Sequence, residues 1–150
     1  MDRVSNAIYG GERPLYARKD LAIENVTFLE GDLYDPLPEN ARFAMITANP
    51  PYVTSSEYSQ LECVVKNYEP RLALEAGRDG LDVITRIIND AASHLLPGGK
   101  IVMEIGDKQG DAVKRLLIKA GFSAEIKTDY AGRQRFAVAA LNPQFSTDCL

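Results

Sequence analysis

A chain of 150 residues, 45% hydrophobic and 25% charged, has the size and composition of one ordinary globular domain with room for a core. Its formal net charge of −4 argues against nonspecific binding to nucleic acid or to anionic membranes. No apolar run approaches the length of a membrane span, and the start Met1-Asp2-Arg3-Val4-Ser5 lacks an apolar signal region, so a cytoplasmic location is expected.

In chain order, residues 13–21 suggest a short helix, interrupted upstream by Gly10-Gly11 and Pro14. Residues 26–29 read as a strand ended by Gly31-Asp32. Residues 43–48 form a second, largely apolar strand of the kind found in a sheet covered on both faces. A long connection over residues 54–71 has helical character around 57–65. Residues 80–96 place Leu81, Ile84, Ile87, Ile88, Ala91, Ala92 and Leu95 on one helical face, and Pro97-Gly98-Gly99 is predicted to stop that helix. A strand over 100–105 and an amphipathic helix over 111–120, closed by Gly121, follow. Residues 124–128 and 135–141 read as two strands turning at Ala131-Gly132, and 142–150 as a frayed tail. The alternation defines an α/β fold.

Asn49-Pro50-Pro51-Tyr52, immediately after the second strand, carries the most chemistry. A planar amide or amino nitrogen is a poor nucleophile because its lone pair is delocalised. A site that uses one must hold its N–H hydrogens and aim the lone pair. Asn49 offers a side-chain carbonyl, and Pro50 a backbone carbonyl with no N–H to compete. The two prolines stiffen the loop and orient these acceptors in advance. Tyr52 adds a flat face and a hydroxyl. For these four residues alone, a Pro-Pro turn that merely ends a buried strand remains an equal reading.

Elsewhere the chain offers little. Cys63 and Cys149 are isolated and His94 is the only histidine, so a zinc site or a Ser-His-Asp unit lacks partners. His94, near a helix end, reads as exposed or cap-assisting. Neither metal nor covalent catalysis is expected.

Further stretches join the Asn-Pro-Pro-Tyr loop: Glu69-Pro70-Arg71-Leu72-Ala73-Leu74, Gly77-Arg78-Asp79-Gly80-Leu81, Leu96-Pro97-Gly98-Gly99, Met103-Glu104-Ile105-Gly106 with Gln109-Gly110, and Ala131-Gly132-Arg133-Gln134-Arg135. In that order and spacing the set resembles the HemK-type protein-(glutamine N5) methyltransferases that modify peptide chain release factors. The resemblance is strong over residues 22–141 and extends weakly to Asp2. It implies a Rossmann-like class I S-adenosylmethionine-dependent methyltransferase fold with a terminal antiparallel strand pair. It also implies S-adenosylmethionine as donor and, as acceptor, the glutamine of a Gly-Gly-Gln tripeptide in a release factor.

Carried over residue by residue, Asn49, Pro50, Pro51 and Tyr52 match the loop that holds the substrate glutamine, with Asn49 also beside the methyl donor. Asp32 and Leu33 match the strand-end pair that edges the adenine, where family members often carry an aromatic in place of Leu33. Asp2 matches the acidic residue on the ribose hydroxyls, at a longer spacing from Asn25 than usual. The implied reaction is direct in-line methyl transfer, with orientation as the main contribution of the protein. Glu104 and Asp79 read as structural carboxylates that accept hydrogen bonds from nearby backbone amides.

The departures matter too. No Gly-x-Gly-x-Gly turn occurs, and no segment matches the N-terminal helical region of the family. The expectation is a catalytic domain over residues 1–141 truncated at its N-terminus, without the first strand and the cofactor loop, and with a tail over 142–150. Strand 43–48 would then be an unpaired edge that invites self-association, and cofactor affinity would fall far below that of a full-length enzyme. Two other readings are an adenine-specific amino-methyltransferase, which uses a similar loop, and a fragment without catalytic activity.

Overall fold

The computed structural model describes residues 5–8, 26–61 and 70–145. They fall into two units, Met1–Ala41 and Arg42–Leu150. The helix expected over 13–21, the Gly10-Gly11 pair, Asp2, Cys63 and Cys149 lie outside the described residues, as does the second half of the helical stretch expected over 57–65.

In the first unit, β1 (Ser5–Ile8) pairs in parallel with β2 (Val26–Leu29), Ser5 opposite Val26 and Ile8 opposite Leu29. Strand β2 is the one read from the sequence, whereas β1 was not anticipated. After β2 the chain folds through a double turn, with the Asp35 amide donating to the Asp32 carbonyl at 3.0 Å and Leu37 to Tyr34 at 2.9 Å. Gly31 opens it because a Cβ there would stand 2.8 Å from the Pro36 ring. Leu33 has a φ of 49°, the left-handed region that disfavours a side chain.

The second unit is built on β3 (Phe43–Ala48), β4 (Leu95–Glu104), β5 (Phe122–Thr128) and β6 (Gln134–Leu141). Their order across the sheet is β3-β4-β6-β5. Strand β4 is parallel to β3, while β6 runs antiparallel to both β4 and β5. The short helices α1 (Ser55–Gln60) and α2 (Arg71–Leu74) connect β3 to α3 (Asp82–Ala91), and α4 (Gly110–Lys119) joins β4 to β5.

The helical period of α3 buries Ile84, Ile87, Ile88 and Ala91, and α4 buries Val113 and Leu117. These pack with Ile101, Met103, Ile105, Phe122, Ala137, Ala139 and Leu141 to form the core. Alternation in β4 and β6 sends their other residues to the opposite face, which stays partly open. Met45 is 52% and Phe136 39% exposed there.

Three expectations change. Strand β3 fitted a sheet covered on both faces, yet none of its residues is fully buried, because among the described residues it is an edge paired only with β4. Helix α3 ends at Ala91 and passes through a 3-10 turn, Ala92–His94, so it stops before Pro97. Pro97-Gly98-Gly99 instead forms an irregular start to β4: the register moves from Phe43 opposite Leu95 to Met45 opposite Lys100. The tail is also anchored at its beginning, where the Asn142 amide donates to the Gly121 carbonyl at 3.0 Å before a 3-10 turn, Pro143–Phe145. Gly121 closes α4 as expected, with φ 88°.

Candidate functional site

Because β3 and β4 are parallel, their carboxyl ends lie at the same end of the sheet, where α/β proteins place their ligands. The antiparallel return of β6 brings its first residues to that end, with Phe136 opposite Glu104. A cavity of about 290 Å³ opens there, lined by Thr47, Ala48, Asn49, Val102, Glu104 and Phe136. That is just below the range for ligand pockets, about 300–1,000 Å³.

Asn49 and Pro50 each precede a proline and are therefore held extended. Neither proline can donate a hydrogen bond, so strand pairing ends at Ala48. Pro50 is buried and anchors the loop, while Pro51 and Tyr52 are half-buried. Asn49 is exposed at the cavity, and its side-chain amide makes no hydrogen bond among the described residues. Both amide functions of Asn49 are therefore open to a ligand.

Backbone contacts fix the far end of the loop. The Val53 amide donates to the Leu74 carbonyl and the Ala76 amide to the Val53 carbonyl, each at 2.9 Å. Gln109, from the loop that precedes α4, binds three segments together. Its Nε2 donates to the carbonyls of Tyr52 and Gly80 at 3.1 Å and approaches that of Asp79 at 3.3 Å. Its Oε1 accepts from the Gly106 amide at 2.9 Å. Gly80 has φ +72°, and a Cβ there would run into the Tyr52 carbonyl and stand 2.7 Å from Gln109 Nε2. Only glycine fits at that crossing.

The Tyr52 hydroxyl donates to Glu104 Oε1 at 3.2 Å, and Arg135 Nη1 lies 3.4 Å from both oxygens. Burial first, and then the Glu104 carboxylate, push the Tyr52 hydroxyl above the ordinary tyrosine range, and the Arg135 guanidinium pulls the other way. Arg135 Nη2 reaches Asp129 Oδ2 at 3.8 Å. Asp129 Oδ1 accepts from the amides of Ala131 and Arg133 at 2.8 and 3.0 Å. The Arg133 amide bond is the main cause that holds this carboxyl below its usual range.

Of the four loop residues, Asn49 lines the cavity; Pro50 and Pro51 follow it in the loop, and Tyr52 reaches the cavity through its hydrogen bond to Glu104. Asp32 and Leu33 belong to the first unit, exposed and half-buried respectively, and Asp2 lies outside the described residues. Asp79 does accept from a backbone amide, that of Leu81 at 3.1 Å. Glu104 does not: its partners are the side chains of Tyr52 and Arg135. The alternation of β4 is the signal for this, since burying Ile101, Met103 and Ile105 turns Val102 and Glu104 to the cavity face. Gln109 and Arg135 belong to stretches singled out in the sequence, but nothing local to them gives their partners.

The architecture defines the class. The chain superposes on a methyltransferase from Pyrococcus furiosus with a TM-score of 0.60 at 21% identity, covering 90% of this chain and 60% of that one. It superposes on a release factor-specific protein-(glutamine-N5) methyltransferase from Alicyclobacillus acidocaldarius with a TM-score of 0.51 at 21% identity, covering 92% and 79%. The fold is that of the class I S-adenosylmethionine-dependent methyltransferases.

No protein-family model matches the chain. In sequence it is 45% identical over 117 residues to the release factor glutamine methyltransferase of Thermodesulfovibrio yellowstonii, which covers 77% of this chain and 42% of that relative. Over the matched residues the chain belongs to the release factor glutamine methyltransferase family. It spans less than half the length of the curated relatives it matches.

Proposed function

We propose that this chain carries the acceptor half of a methyl-transfer site. In this reading the methyl group goes from S-adenosylmethionine to the side-chain amide nitrogen of the Gly-Gly-Gln glutamine in a peptide chain release factor. The observation that carries the reading is the exposed side-chain amide of Asn49, without a hydrogen-bond partner among the described residues, at the mouth of a small cavity and on a loop stiffened by two prolines. The family resemblance supports it, and the adenine reading has no such support.

In this reading the carbonyls of Asn49 and Pro50 accept the two N–H groups of the glutamine amide, which turns the nitrogen lone pair toward the donor. S-adenosylmethionine supplies an electrophilic methyl group. Positive charge grows on the nitrogen during transfer, so acceptors already in place strengthen their hydrogen bonds without reorganising. The methylated nitrogen is acidic enough to lose its proton to water, and no general base is needed before transfer. Pro51 holds the loop, and Tyr52 faces the planar group. Asp32 and Leu33 offer a carboxylate and an apolar edge suited to a nucleoside; their assignment, and that of Asp2, rests on the resemblance. A role in translation termination, a cytoplasmic location and self-association through the β3 edge belong to the same proposal.

Calorimetric titration with S-adenosylmethionine, run with a measurement of mass in solution, tests donor binding and association. Transfer of labelled methyl to a release factor, with DNA as the competing acceptor, tests the substrate. Label on the glutamine of Gly-Gly-Gln is expected; label on DNA and none on release factor overturns the reading.

A further inference from the structure

Tyr52 has its hydroxyl engaged on both sides by the protein. The proton goes to Glu104 Oε1 at 3.2 Å, and the oxygen accepts from Arg135 Nη1 at 3.4 Å. Arg135 Nη1 also stands 3.4 Å from Glu104 Oε1, so the three groups close a triangle. Behind Arg135 stands Asp129, itself gripped by two amides of the β5–β6 turn. The triangle draws on the loop after β3, the end of β4 and the start of β6, segments of three neighbouring strands.

We propose that Glu104 and Arg135 are positioning residues for Tyr52: they hold its ring in one orientation beside the cavity, so Tyr52 meets the acceptor group with its face while its hydroxyl is committed to the protein. The inference rests on the functional reading above and gives Tyr52 its role within it.

The physical case is one of reach. A tyrosine ring on a loop turns about two side-chain bonds, and a tether at the far end of the ring restricts both. A phenol whose only hydrogen is spent on Glu104 has none left to donate to a substrate. Stability is not the reason for the triangle. The Glu104 and Arg135 side chains are 26% and 28% exposed, and a long ion pair in that setting adds little to folding. Misplacing a positioning group by about 1 Å, by contrast, costs turnover on the order of a hundredfold. The charges balance as well: the Arg135 cation offsets the Glu104 carboxylate, and burial keeps the hydroxyl protonated. Among the described residues, Glu104 and Arg135 are the charged groups that bear on the Tyr52 hydroxyl.

The test needs no turnover. The chain labelled with ¹³C at the tyrosine ζ carbon is titrated by NMR, with Tyr52 identified among the seven tyrosines by its loss in Tyr52→Phe. Its midpoint is expected above those of the exposed tyrosines, to fall in Glu104→Gln and to rise in Arg135→Gln. Arg135→Lys, which keeps the charge, should remove most of the rise. A Tyr52 midpoint that none of these variants moves overturns the proposal.

In a preparation that turns over, Tyr52→Phe, Glu104→Gln and their double variant should each lose kcat by a similar factor, roughly ten- to a hundredfold, with KM little changed. Losses that multiply in the double variant overturn the proposal. Normal midpoint shifts with no methyl transfer to glutamine would defeat the functional reading and leave the clamp standing.

Discussion

Replacing Gln109 by alanine removes one side chain and releases three segments. The amide nitrogen has two hydrogens to share among the carbonyls of Tyr52, Gly80 and Asp79, and the oxygen takes the Gly106 amide. Three hydrogen bonds at a net value near 1 kcal/mol each give an upper figure of about 3 kcal/mol. Asp79 is exposed, so water replaces part of that loss and Gln109→Ala should cost about 2–3 kcal/mol. Urea unfolding followed by circular dichroism measures it. A loss below about 0.5 kcal/mol, the ordinary range of a surface change, would refute the reasoning.

Gln109→Glu sharpens the test. Ionised, the introduced carboxylate still accepts from Gly106 but faces backbone carbonyls with no hydrogen to give them. Its pKa in the folded state is therefore raised. A carboxyl raised on folding leaves stability intact below its unfolded value, near 4.3, and removes it as pH climbs through the folded value. Gln109→Glu should then lie close to wild type near pH 4 and fall below Gln109→Ala by pH 7. A gap between the two variants that does not change over this range would show that the three carbonyls do not meet at residue 109.

Asn49→Ala should leave the urea midpoint unchanged, because the side chain is exposed and has no hydrogen-bond partner among the described residues. In a preparation that turns over, it should lower kcat on the order of a hundred- to a thousandfold, as losing one oriented polar group does, with release-factor binding retained. Gly80→Ala and Gly98→Ala share a positive φ, but a Cβ at residue 98 meets nothing within 4 Å. The Gly98 change should cost about 1–2 kcal/mol for backbone conformation alone; the Gly80 change should add about 1–3 kcal/mol of overpacking against Tyr52 and Gln109, both read by urea unfolding. Asp129 has a depressed pKa, so its contribution is present above the ordinary carboxylate value and is lost as pH falls through the folded value. Asp129→Asn should flatten the acid limb of a stability–pH profile; an unchanged limb would contradict the turn described here.

The sequence was most legible where a pattern is local. Helix α4 and its closing Gly121, helix α3, and strands β2, β3, β5 and β6 all follow from periodicity and turn residues within a few positions. Strand β1 did not, because Ser-Asn-Ala-Ile has no alternation and is a strand only through pairing with residues 26–29. The start of β4 was hidden for a similar reason. Leu95 pairs with Phe43, and the chain then spends Leu96 to Gly99 before Lys100 resumes the ladder, so Pro97-Gly98-Gly99 looked like the end of a helix when it is an irregularity in a strand.

The same distinction divides the site. Asn49 to Tyr52 carry their chemistry in four consecutive residues, and the two prolines announce a fixed loop. What holds that loop is remote: Gln109 stands 57 residues from Tyr52, Glu104 52 and Arg135 83. No pattern along the chain relates positions so far apart. The sheet order relates them, because the terminal hairpin inserts β6 beside β4 and ahead of β5, returning an arginine to the end where the parallel strands finish. Had β5 taken the place beside β4, Phe122 to Thr128 would line that position, and their only cation, Lys127, is a flexible point charge rather than a planar fork. Tyr52 would then have no donor able to bridge it to both Glu104 and Asp129. The antiparallel terminal hairpin, whose buried face belongs to the core, is therefore also part of the site.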